Sequence, residues 1–165
     1  MIELNKKTQQ DFLNREWVKR LLDAGVDMSD AKYSIVHVKE FDIDVVTYNK
    51  PNEIVEDQNP VPTYTVSELL YKLHEWIYPT IDGKEYSGPL TFLKDAPFYM
   101  FYYNLSKEEK IQTVDGEETV RVKGPEYYIY AEFEYPIESL ASLLIQCHKK
   151  DIGIKTKDTG NISDK

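Results

Sequence analysis

The sequence predicts an α+β fold, a single domain of about three helices against a mostly antiparallel sheet, and three observations carry that prediction. Apolar residues recur at helical spacing in three separated stretches, and elsewhere they alternate with a period of two. The turn dipeptides Asp82-Gly83 and Asp115-Gly116 read as hairpin tips, and hairpins impose antiparallel pairing. The expected order is α-β-β-α-β-β-β-β-α.

The first helix is expected over about residues 9–24. Thr8 is placed to cap it with Asp11 three residues on, and Leu13, Trp17 and Leu21 repeat at every fourth position, widened by Val18 and Leu22. Gly25 then stands where a left-handed residue closes a helix. Lys32–Lys39 is rich in β-branched residues. Asp42–Tyr48 alternates, with Ile43, Val45 and Thr47 on one face and Asp42, Asp44 and Val46 on the other. Residues 49–62 hold three prolines and read as a surface loop.

Thr65-Val66-Ser67-Glu68 is a capping box before the stripe Val66, Leu69, Leu70, Leu73 and Ile77, which predicts a second helix running to Pro79. Residues 81–88 read as a loop or short hairpin. Phe98–Asn104 is a strand with Phe98, Met100 and Tyr102 on one face and Tyr99, Phe101 and Tyr103 on the other. Lys110–Val114 and Glu117–Val122 flank Asp115-Gly116, and Gly124-Pro125 breaks the chain before a strand over Tyr127–Glu134. Pro136 suits the first turn of a last helix, with Ile137, Leu140, Ala141, Leu144 and Cys147 on its buried side. The domain is expected to span 1–153, with 154–165 a frayed tail.

The chain has 165 residues, 41% apolar, which suffices for one buried core. One cysteine excludes an internal disulfide and argues against a small secreted scaffold. The N-terminus lacks the layout of a signal peptide, and the longest aromatic-apolar run, Phe98 to Tyr103, is far short of a membrane span. A cytoplasmic protein is the expectation. The net charge is −9. Residues 148–165 carry five Lys and three Asp, so residues 1–147 carry 15 positive and 26 negative side chains, a balance of −11. Such a body repels phosphate backbones, which speaks against direct nucleic-acid binding and permits a protein partner with a basic surface. It equally serves solubility.

No catalytic constellation stands out. His37, His74 and His148 lack a His or Cys partner at zinc-ligand spacing, and in His74-Glu75-Trp76-Ile77-Tyr78 a tyrosine occupies the place of a zincin's second ligand. No metal or cofactor is therefore expected. There is no Gly-x-Ser-x-Gly elbow and no phosphate-binding glycine loop, and Cys147 falls on a core stripe. The pairs Glu132/Glu134 and Asp42/Asp44 each share a strand face and could serve as a divalent-ion or acid/base site, although alternating acids more often mark the solvated side.

Tyrosine is the unusual entry in the composition, 13 residues beside 6 Phe and 2 Trp. In the strand 127–134, Tyr127, Ile129, Ala131 and Phe133 read as core, while Tyr128, Tyr130, Glu132 and Glu134 form an aromatic and acidic opposite face. If this strand pairs near Phe98–Asn104, Tyr99 and Tyr103 extend that surface. Tyrosine offers rigid contact area with a hydrogen-bonding tip, and adjacent acids favour a cationic partner. The competing reading is that a helix covers this face and the rings are second-layer core.

Three stretches resemble a group of small uncharacterised proteins from phages, prophages and conjugative elements of gut Bacteroidetes. They are Leu21-Leu22-Asp23-Ala24-Gly25-Val26-Asp27 with Asp30-Ala31, then Val61-Pro62-Thr63-Tyr64-Thr65-Val66-Ser67-Glu68-Leu69-Leu70, then Glu138 to Gly153. Thr63 replaces the alanine usual in that group, and the aromatic middle is longer. The resemblance implies a shared fold and a mobile-element origin, and it carries no activity. The expected function is a non-enzymatic accessory protein that binds another protein, such as an acidic inhibitor of a host factor. The rivals are a small enzyme or ligand-binding domain with a Tyr/Glu-lined pocket, and a self-associating structural component.

Overall fold

A computed structural model describes residues 2–48, 60–112, 116 and 118–149. After a two-residue strand β1 (Ile2–Glu3), residues 5–11 form turns in place of the expected start of the first helix. Thr8 closes those turns, its hydroxyl donating to the Glu3 carbonyl at 2.6 Å. Helix α1 (Arg15–Asp23) begins at Asn14, whose side chain accepts from Trp17 N at 3.0 Å. The residues before it are claimed elsewhere. Leu13 N donates to Tyr64 O, and the Thr63 hydroxyl donates to Leu13 O at 2.7 Å. α1 buries Trp17, Val18 and Leu21, whereas Leu22 lies exposed. It ends as expected: Gly25 has φ +86°, and Val26 N donates to Leu21 O.

β2 (Tyr33–Val38) and β3 (Ile43–Tyr48) pair antiparallel, within one residue of the expected bounds. With β1 and β4 (Val61–Thr63) they form a sheet in the order β1-β3-β2-β4. β4 corrects the end of the expected 49–62 loop, and residues 49–59 lie outside the described residues. Ile35 and Val46 face the main core, while Val36 and Val45 are buried on the opposite face.

Helix α2 (Val66–Lys72) opens on the expected capping box. Thr65 accepts from Glu68 N, and the Glu68 carboxylate accepts from Thr65 N at 2.9 Å. It stops at Leu73 and does not reach Pro79, because Trp76–Ile77 is drawn out as strand β5. Leu73 and Ile77 are still buried, so the apolar stripe reports burial correctly and helix length wrongly. β6 (Thr80–Ile81) and β7 (Lys84–Glu85) make the short hairpin, with Asp82 and Gly83 both at positive φ.

β8 (Gly88–Asp95), β9 (Phe98–Gln112) and β10 (Glu118–Phe133) continue antiparallel, and with β5 they form the sheet β10-β9-β8-β5. β8 was not expected. β9 and β10 are far longer than the separate strands expected, since Gly124-Pro125 does not end a strand. It lies within a register irregularity between Lys123 and Tyr127, inside one continuous β10.

Helix α3 (Pro136–Lys149) follows as expected and packs on β9 and β10 and against α1 and α2. Ile137, Leu140, Ala141, Leu144 and Cys147 are buried together with Ser139, Leu143 and Ile145. The architecture is thus α+β, with three helices and antiparallel sheets among the described residues. The main core lies between the helices and the inner face of the β10-β9-β8 sheet, where Leu105, Ile129 and Ala131 are buried. Among the described residues no helix is long and apolar enough to cross a membrane. The expected tail at 154–165 lies outside the described residues.

Candidate binding face

The register of β10 on β9 decides which tyrosines share a surface. Tyr128 stands opposite Asn104, Tyr130 opposite Tyr102, and Glu132 opposite Met100; on the alternate positions Ile129 meets Tyr103 and Phe133 meets Tyr99. β8 extends both rows, with Thr91 opposite Tyr102 and Leu93 opposite Met100 on the outer face. Side chains alternate between faces, so Tyr128, Tyr130 and Glu132 project away from α3, and Glu134, just past β10, is also exposed.

The outer face is open. Tyr128 is 55% exposed and Tyr130 53%, and Leu93, Phe98 and Trp76 are exposed on the same side. The Tyr102 and Tyr128 rings lie 6.4 Å apart, tilted at 51°. The reading in which a helix covers these rings does not hold, because α3 packs on the other side, over Ile129 and Ala131.

Tyr99 and Tyr103 do not extend this surface. Tyr103 is only 1% exposed on the inner face, and its hydroxyl donates to the His74 carbonyl at 2.6 Å. Burial pushes that hydroxyl's pKa far above the ordinary tyrosine value. Tyr99 also faces inward, stacked on Phe92 at 6.2 Å with Lys94 Nζ 5.5 Å from its ring centre. The members that sequence reasoning left off the surface are Tyr102 and Met100. Their shared strand face was readable, but not that it was this face that joins Tyr128.

The second acidic pair has a different fate. Asp42 and Asp44 converge on His37, Asp42 Oδ1 at 3.4 Å from Nε2 and Asp44 Oδ1 at 3.2 Å from Nδ1. Arg15 Nε lies 3.1 Å from both Asp44 oxygens, tying α1 to the β2–β3 hairpin. Among the described residues no group of three or more His, Cys, Asp or Glu is placed to hold a metal ion.

Comparison with family models, curated proteins and solved structures gives no match. The functional reading therefore stands on geometry.

A cavity of about 470 Å³ lies elsewhere, lined by Asp30, Lys32, Tyr64, Glu68, Tyr71 and Lys72 among others. Its polar groups bond one another. The Tyr64 hydroxyl donates to Asp30 Oδ1 at 2.6 Å, Lys72 Nζ lies 2.8 Å from Asp30 Oδ2, and Glu68 is held by the cap of α2 and by Lys32 N. Burial opposes ionisation of Asp30, but the hydrogen bonds from Lys72 and Tyr64 outweigh it and hold its carboxyl below the usual carboxylate range. Burial and the Asp30 carboxylate together push the Tyr64 hydroxyl far up.

The depressed Asp30 pKa makes a signed prediction. A carboxyl that binds its proton less tightly folded than unfolded contributes stability above its unfolded pKa, and loses it as pH falls through the folded value. Urea midpoints of the wild-type protein should therefore fall as pH drops below about 4, and the fall should be shallower in Asp30→Asn. Parallel profiles for the two proteins would show that Asp30 contributes no such linkage.

Proposed function

We propose that this chain is a non-enzymatic accessory protein of a phage or mobile element, acting in the cytoplasm by binding another protein through the outer face of the β10-β9-β8 sheet. The observation that carries the reading is that open face, where Tyr128 and Tyr130 stand more than half exposed beside the exposed carboxylates of Glu132 and Glu134. Exposed contiguous aromatic surface is costly to solubility, and its retention is characteristic of interaction sites. The −11 balance of residues 1–147 favours a partner with a basic surface, including a host nucleic-acid-binding factor, over nucleic acid itself.

The test is a pull-down from bacterial host lysate with wild-type protein and with the Tyr128→Ser/Tyr130→Ser double variant, at low and high salt. The expected result is a partner held by the wild type at low salt, released at high salt and lost by the variant. The variant should stay folded, losing under ~2 kcal/mol, because both rings already stand in solvent. Severe thermal destabilisation, or retention of every partner by the variant, overturns the reading.

A second reading, a ligand-binding domain, is favoured by the cavity at Tyr64, Glu68 and Tyr71. It would show as a metabolite that raises the Tm of the wild type and fails to do so after Tyr71→Ala, a change at a side chain 88% exposed.

A further inference from the structure

Resting on the protein-binding reading, the outer sheet face points to a more specific occupant. Along β10 the residues Tyr128, Tyr130 and Glu132 follow one another at every second position, about 7 Å apart, and exposed Glu134 follows just past the strand, aromatic first and acidic second. Asp95, on the outer row of β8 opposite Phe98, adds a third exposed carboxylate. Among the described outer-face side chains of β8, β9 and β10 there is no lysine or arginine.

The side chain that satisfies an aromatic face and a carboxylate together is the guanidinium. It lies flat on a ring while its fork pairs with the carboxylate, whereas an ammonium acts as a compact, strongly hydrated point charge. The molecule builds this arrangement within itself. Arg20 places its guanidinium carbon 4.7 Å from the Trp17 ring centre and pairs with the Glu16 carboxylate one helical turn away. Among its described side chains the outer sheet face presents rings and carboxylates without such a cation.

Among the described residues β10 is also the terminal strand of its sheet, so an extended segment can lie along it in step with its two-residue period. One contact already reaches this strand from the inner side: Gln146 Nε2 donates to the Tyr130 carbonyl at 2.7 Å. That contact engages a backbone carbonyl and not the outer rings or carboxylates.

We infer that the partner docks on this face through an extended segment carrying arginines at alternate positions, one guanidinium stacked on Tyr130 and paired with Glu132, its neighbours stacked on Tyr128 or drawn to Glu134. Charge complementarity commits the face to this occupant over a second copy of a chain whose own net charge is −9.

The test uses the full chain and a fluorescent peptide alternating arginine with threonine, read by anisotropy at low salt, beside versions with lysine or uncharged citrulline at the arginine positions. The expected result is arginine-peptide binding that weakens with salt and is about threefold tighter than for lysine. Citrulline should abolish it, and Glu132→Gln/Glu134→Gln or Tyr128→Ser/Tyr130→Ser should each weaken it by roughly tenfold. Absence of arginine-peptide binding, equal binding of the lysine and arginine peptides, or undiminished binding by the glutamine variant overturns the inference. So does a dimer in sedimentation that the tyrosine variant abolishes, because a second copy then covers the face. The broader reading fails separately: a lysate partner that is lost by the tyrosine variant but indifferent to Glu132→Gln/Glu134→Gln leaves protein binding standing and removes the arginine.

Discussion

Gly88→Ala should destabilise the protein by ~3 kcal/mol or more, lowering Tm by about 6–12 °C for a domain of this size. Gly88 starts β8 and pairs with Ile77 of β5, while Ser87 beside it bridges to Ser106. A Cβ at Gly88 would drive into the Asn104 carbonyl, standing 2.6 Å from its carbon and 3.2 Å from Leu105 Cα. Both obstacles are backbone of the central strand β9, so no side chain can swing aside to make room. Relief requires moving β8 off β9, which would also disturb the seats of Leu105 and Ile77, two of the most deeply buried residues. Thermal melts of wild type and Gly88→Ala check this. A Tm within a degree or two of wild type would mean that the strands separate at little cost.

The second large effect is at Tyr103. Tyr103→Ala removes a ring buried between β9 and the helices and should cost about 3–5 kcal/mol. Tyr103→Phe keeps the ring and removes only the hydroxyl that donates to His74 O, for about 1–2 kcal/mol. Urea unfolding of the two variants separates packing from hydrogen bonding. If both cost the same, the hydroxyl rather than the ring holds the inner face. Neither change touches the outer surface, so peptide or partner binding by the Phe variant should match wild type.

Tyr103 also shows where sequence reasoning stopped. The alternation within each strand was legible: Ile129, Ala131 and Phe133 turn inward and Tyr128 and Tyr130 outward, as the period of two requires. What alternation within a strand does not contain is how two strands are set against each other. A two-residue loop at Asp115-Gly116 would set residue 114 against 117 and bring Tyr103 opposite Tyr128. The observed register pairs Gln112 with Glu118, one residue away, and a slip of one residue turns every partner to the other face. The later irregularity, between Lys123 and Tyr127, moves the pairing by two and preserves that parity. Tyr102 therefore joins the surface, and Tyr99 and Tyr103 leave it.

Local signals fared best where the chemistry is local. The Thr65/Glu68 box, Gly25 at positive φ and Pro136 at the head of α3 all act within one turn of chain, and each stands where the sequence placed it. The far half of the second helix, read from apolar spacing up to Pro79, failed past Leu73. Ile77 is buried whether the backbone coils or extends, and the partner that decides, Gly88, lies 11 residues further on. The start of α1 failed for the same reason, since the groups that engage Leu13 belong to Thr63 and Tyr64. The His37, Asp42 and Asp44 cluster was half visible as an acidic pair, but Arg15 reaches it from another element.

The irregularity within β10 has a consequence for how copies of this chain behave when crowded. A long terminal strand is a template on which another copy can grow a continuous sheet, the first step towards fibres. Here the strand runs 16 residues, yet its regular pairing is interrupted between Lys123 and Tyr127, so no straight ladder can extend along all of it. Two exposed negative charges, Glu132 near its far end and Glu134 just past it, follow. The chain thus leaves Tyr128 and Tyr130 exposed while denying its own copies an uninterrupted edge on which to polymerise.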